Sequence, residues 1–132
     1  MEIQYKAGII PSTEEIIAVY ESSTIKRPTN DSERITAMYK NSNLVVTAWD
    51  GEELVGISRS ITDFHYCCYL SDLAVKMKYQ HQGIGKKLIA ITKEKLGPQV
   101  MLLLLAAPAA VDYYPKIGME KFDHAFMIHR EK

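Results

Sequence analysis

Residues 69–89, YLSDLAVKMKYQHQGIGKKLI, decide how this chain is read. The stretch opens as an apolar strand ending at Val75 and closes in a helical pattern. Between them Gly83 and Gly85 stand one residue apart, flanked by Gln80 and Gln82 and followed by Lys86 and Lys87. Glycine is disfavoured inside a helix, yet both sit where a helix begins. The first amides of a helix lack partners within it, and the helix dipole adds partial positive charge there. Without Cβ atoms at 83 and 85 an anion can approach that backbone, and Gln80, Gln82 and Lys86 can add donors. Such a turn suits a phosphate or pyrophosphate; a plain helix start is the bland alternative. Two familiar phosphate loops do not fit. A Walker loop needs glycine where Gln80 stands and Ser or Thr where Lys87 stands, and a dinucleotide fingerprint needs a third glycine where Leu88 stands.

Outward from this stretch the elements follow in order. Residues 1–6 alternate as an opening strand. Ser12 with Glu15 three residues on is a capping-box signature, predicting a helix over residues 12–21. A second short helix is expected over 32–40. Two β-rich runs flank Asp50-Gly51, a strong hairpin signal, and a third strand follows to Val75. The helix after the glycines stops at Gly97 and Pro98. VMLLLLAA, residues 100–107, is continuously apolar, as a central strand covered on both sides would be. A short helix ended by Gly118 and one more strand, or two, over 119–130 close the chain. The order is β-α-α-β-β-β-α-β-α-β, an α/β domain with a mixed sheet. The strand-helix-strand crossover in its back half makes the strands ending at Val75 and starting at Val100 parallel.

With 132 residues and no linker or repeat, residues 1–132 read as a single domain. Sixteen basic and sixteen acidic residues balance, which argues against a nucleic-acid partner. The longest apolar run, 100–111, is interrupted by Pro108 and too short to span a bilayer. The N-terminus lacks a signal-peptide pattern, so a cytoplasmic protein with no membrane partner is expected. Cys67 and Cys68 are adjacent, a poor staple and a poor zinc set, and read as buried or half-buried free thiols in a strand; no metal is expected.

The quoted stretch also resembles motif A of the GCN5-related N-acetyltransferases, the GNAT family. Gln80-His81-Gln82-Gly83-Ile84-Gly85 matches its signature of Gln or Arg, two residues, Gly, one residue, then Gly or Ala. Downstream, Ala110, Tyr114, Lys116 and Gly118 match the family's second landmark, with Met119 where Phe is commoner. The resemblance spans about residues 44–122, and the first 40 agree in element order alone.

The resemblance implies an enzyme that moves the acetyl group of acetyl-CoA to a primary amine. It assigns the pyrophosphate to the loop of Gln80, His81, Gln82, Gly83, Ile84, Gly85 and Lys86. The pantetheine arm would pair with a bulged strand at Leu73, Ala74 and Val75, in the gap where two parallel strands splay. An amide near Leu73 would polarise the thioester carbonyl, and Tyr114 would be the general acid that protonates the departing thiolate. The family's base falls near positions 69 and 71, here Tyr69 and Ser71, neither a good base at neutral pH. Asp72 is expected on the opposite face; His65, a water chain or a carboxylate of the first helices are the other candidates, and His124 and His129 read as structural. Ala107 stands where family members often have Asn, weakening one pantetheine contact. The acceptor is read as a small-molecule amine ahead of a protein lysine or N-terminus. A non-catalytic acyl-CoA sensor is the competing class, and the family admits a homodimer.

Overall fold

A computed structural model of the chain describes residues 2–132. The elements are β1 (Ile3–Ala7), α1 (Thr13–Ser23), α2 (Ser32–Lys40), β2 (Leu44–Asp50), β3 (Glu53–Thr62), β4 (Cys67–Val75), α3 (Ile84–Leu96), β5 (Met101–Leu104) and α4 (Tyr113–Lys116), with single 3₁₀ turns before α3 and α4. Met1, part of the expected first strand, lies outside the described residues.

Local chemistry sets most of these boundaries. Ser12 caps α1 by accepting from the Glu15 amide while the Glu15 carboxylate accepts from the Ser12 amide, so the capping box forms as expected. Asp31 caps α2 by accepting from the Arg34 amide. The β2–β3 hairpin turns at Gly51, whose φ of 60° is the left-handed region that glycine enters without strain.

The sheet runs β1-β2-β3-β4-β5, antiparallel throughout except for the parallel β4–β5 pair. Helices α1 and α2 cover one face, where Ile16, Val19 and Ile35 pack on Val45 and Ile57. Helix α3 covers the other, packing Ile84 and Leu88 on Val46 and Val55. Gly56 on β3 allows that approach, since a Cβ there would lie 3.2 Å from both Ile84 Cγ2 and Leu88 Cδ1. Strands β2 and β3 are thus roofed on both sides.

The back of the chain departs from expectation. Strand β5 has four residues rather than eight and lies at the edge of the sheet rather than its centre. The final strand of the expected order is missing: among the described residues, 119–132 form no strand. The two differences share one cause. No described segment pairs with the outer edge of β5, and α3 covers the strand only in part, at Leu102, so Met101 and Leu105 are exposed. The last segment stands off across a groove of about 840 Å³, with Phe126 and Ile128 almost fully in solvent. Alternation supplied a strand pattern there, but pairing needs a docked neighbour.

Candidate active site

Strand β4 carries the site. Opposite β3 its register shifts: Arg59 faces Asp72, but Ser60 faces Leu70, leaving Ser71 as an extra residue. That is a β-bulge, which bends a strand and re-aims the residues beyond it. On its other edge β4 pairs with β5 only from Cys67↔Met101 to Leu70↔Leu104. Beyond that point β4 continues to Val75 while β5 stops. The two parallel strands open into a wedge whose β4 edge is Ser71–Val75, the place assigned to a pantetheine arm. Leu73, Ala74 and Val75 therefore stand together along the unpaired edge.

The wedge leads to the glycine turn. Tyr79 is buried and donates to Asp50 at 2.7 Å, anchoring the turn to the β2–β3 hairpin. That hydrogen bond, with burial behind it, pushes the phenol up to about 12. His81 and Gly83 adopt left-handed φ of 64° and 83°, and Gly83 is the N-cap of α3 without any side-chain cap. The amides of Ile84 and Gly85 at the start of α3 are consequently left to an outside acceptor, while that of Lys86 faces the Tyr113 hydroxyl. A Cβ on Gly83 would meet nothing within 4 Å, so glycine is needed there for its dihedral. A Cβ on Gly85 would lie 3.3 Å from the Tyr113 hydroxyl, a tight contact, and 3.8 Å from Leu73 Cδ2, an ordinary one. Gln80, expected as a free donor, instead donates to the Val75 carbonyl at 2.9 Å and ties the turn to the end of β4. Gln82 reaches back to the Lys78 carbonyl at 3.5 Å. His81 and Lys86 remain at the solvent side of the turn.

Helix α4 brings Tyr113 and Tyr114 behind this turn, their rings edge-to-face at 5.1 Å. Tyr114 is half-buried, and burial, then the neighbouring Tyr113, raises its phenol above the usual value of ten. It holds its proton at neutral pH. Tyr113, to which the sequence assigned no catalytic part, lies against Gly85. Burial raises its phenol while the Lys86 amide opposes the shift.

The base candidates separate clearly. Asp72 is fully buried on the α1–α2 side of the sheet, but the bulge breaks the expected alternation there, and the Ser71 hydroxyl reaches the same carboxylate at 3.2 Å. Burial favours its neutral form, but the Arg59 hydrogen bond and the charges of Arg59 and Arg27 outweigh that and keep the carboxyl below its usual range. It is ionised and engaged on both oxygens, so it is no base. His65 lies in the turn opening β4, at the end away from the glycines, beside Asp63. Amides of Tyr66, His65 and Cys67 lower the Asp63 carboxyl to about 2. His124 meets Phe122 edge-to-face, and His129 lies in the exposed last segment. Both cysteines are free, as expected, and Cys68 is buried, but Cys67, at the start of β4, is exposed rather than half-buried. Among the described residues no group of acidic, His or Cys side chains could hold a metal, and no helix is long and apolar enough to cross a membrane.

A bulged strand, an open strand edge and a glycine turn follow one another along β4 and into α3, on a fold that known proteins share. The family profile of the acetyltransferase (GNAT) domain matches residues 11–127, so the chain belongs to the GNAT family. It is an acyl-CoA-dependent N-acetyltransferase. A probable acetyltransferase of unknown function from meticillin-resistant Staphylococcus aureus superposes with TM-score 0.85 at 20% identity, over 99% of this chain and 100% of that one. A GNAT family protein from Streptococcus pneumoniae gives 0.77 at 25%, covering 99% of each chain. An aminoglycoside N-acetyltransferase, AAC(6')-Iy, in complex with CoA gives 0.74 at 11%, over 99% of this chain and 96% of that one.

Sequence reading missed Arg27 and Arg59, which grip Asp72 and Ser71. One signal was present. Arg59 and Asp72 are single opposite charges inside otherwise strand-like runs that the hairpin order places side by side.

Proposed function

We propose that the protein transfers the acetyl group of acetyl-CoA to a primary amine of a small molecule by direct attack. The observation that carries this reading is the wedge: β4 and β5 part beyond Leu70 and Leu104, and the open edge leads to the unfilled amides at the start of α3. The amides of the turn, with Lys86, hold the pyrophosphate, and Leu73–Val75 pair with the arm. The neutral amine attacks the thioester carbon; a C–N bond forms while an amide near Leu73 stabilises the oxyanion. The C–S bond then breaks, Tyr114 gives its proton to the thiolate, and the amine's surplus proton, passed through water, reprotonates the phenol. A small acceptor is favoured because aminoglycoside acetyltransferases, one of them in complex with sisomicin, share the fold. Two free adjacent thiols suit a reducing cytoplasm.

Isothermal titration with acetyl-CoA and loss of thioester absorbance with a panel of primary amines test the reading. Tyr114→Phe is expected to lower turnover by about 10²- to 10⁴-fold with affinity for acetyl-CoA almost unchanged. Gly83→Val forces a β-branched residue to φ +83° and is expected to weaken acetyl-CoA binding at least about tenfold in a folded protein. Unchanged affinity in Gly83→Val removes the pyrophosphate assignment. Tight binding with no turnover on any amine, in wild type as in Tyr114→Phe, favours an acyl-CoA sensor instead.

A further inference from the structure

The extra residue of the β4 bulge is held by more than the sheet. A bulge gives up ladder hydrogen bonds, so its geometry must be fixed by something else. Here Arg27, from the loop between α1 and α2, donates through Nη2 to the Ser71 carbonyl at 2.8 Å and through Nε to Asp72 Oδ1 at 2.5 Å. Arg59 donates through Nε to Asp72 Oδ2 at 2.6 Å and through Nη2 to Ser71 Oγ at 3.0 Å. Tyr20 adds a hydrogen bond to Asp72 Oδ2 at 2.6 Å.

Resting on the acetyltransferase reading, we propose that Arg27, Asp72 and Arg59 form a clamp that sets the Ser71–Asp72 peptide of the bulge, and through it aims the amide near Leu73 at the acetyl carbonyl. All three are positioning residues; none reaches the wedge as a reacting group.

Three physical points support this assignment. The peptide unit is planar and trans, so fixing the Ser71 carbonyl fixes the Asp72 N–H in the opposite direction, one peptide before the Leu73 amide. A buried ion pair seldom stabilises a fold better than apolar side chains of like volume, so stability alone is a weak reason for two arginines on a fully buried aspartate. The guanidinium fork is also specific. Arg27 reads a carboxylate and a carbonyl at once with donors in one plane, which a lysine ammonium does not do. The clamp further joins the α1–α2 loop to the strand that lines the wedge.

Arg27 is the residue to change. Its side chain is 25% exposed, and its loss leaves Asp72 paired with Arg59, so the fold is expected to survive. Arg27→Lys, which keeps the charge, and Arg27→Gln are compared with wild type using acetyl-CoA labelled with ¹³C at the carbonyl. The clamp requires that both variants bind acetyl-CoA within about twofold of wild type, because the pyrophosphate turn is untouched. The bound carbonyl stretch should move back toward its frequency in water, and turnover on the best amine of the panel should fall on the order of 10- to 100-fold, less than deleting an oxyanion donor outright. A carbonyl frequency and turnover unchanged in Arg27→Lys overturn the clamp. So does a parallel loss of affinity, turnover and melting temperature, which would mark Arg27 as structural only. A wild-type protein that binds no acetyl-CoA sinks the acetyltransferase reading itself, and the clamp with it.

Discussion

The two edges of the wedge are built on opposite plans. On the β4 side, beneath α1 and α2, charged and phenolic groups are sealed in the interior: Asp72 and Tyr20 are fully buried and Arg59 nearly so. On the β5 side, large apolar groups lie outside, with Met101, Leu105, Phe126 and Ile128 exposed. Polarity and burial are inverted between them. The polar interior is tolerated because every charge there has a directed partner. The apolar exterior persists because no described part of the chain docks on it. The clamp proposed above lies on the side where the polar groups are sealed in.

Breaking the buried side should cost most. Asp72→Ala leaves two arginines uncompensated in the interior and is expected to lose about 3–5 kcal/mol in urea denaturation. A loss below about 1 kcal/mol would show that the network is wet and loose. Acid sharpens the contrast next. The Asp72 carboxyl is lowered in the fold, so its contribution is present above the unfolded value of about 3.9 and is lost as pH falls through the folded value. Thermal melting should decline steeply below about pH 4 in wild type. Burial also keeps the Tyr114 phenol protonated beyond its usual value of about 10, so the alkaline fall in turnover should lie above pH 10. The smallest effect belongs to the open side. Ile128→Ser, at 99% exposure, should change stability by less than about 0.5 kcal/mol. A larger loss in the isolated chain would mean that the last segment is docked in solution.

Much of the fold was legible because it is written in short spacings. The Ser12–Glu15 box, the Asp50-Gly51 hairpin and the α3 boundaries at Gly83 and Gly97 each depend on residues within a turn of one another. The glycine turn was legible for the same reason, and the structure adds that glycine serves dihedral freedom at 83. The edge position of β5 was not legible. An apolar run such as 100–107 reports how greasy a strand is, not whether its neighbours arrive.

The amino-acid order by itself determined most of the element sequence, the parallel crossover and the glycine turn, since caps, hairpins and helix starts are decided by contacts a few residues apart. Only the tertiary structure decided that Ser71 bulges, that Arg27 and Arg59 close on Asp72 from 45 and 13 residues away, and that β5 lies bare. Those depend on which distant groups desolvate together, a quantity no local spacing records.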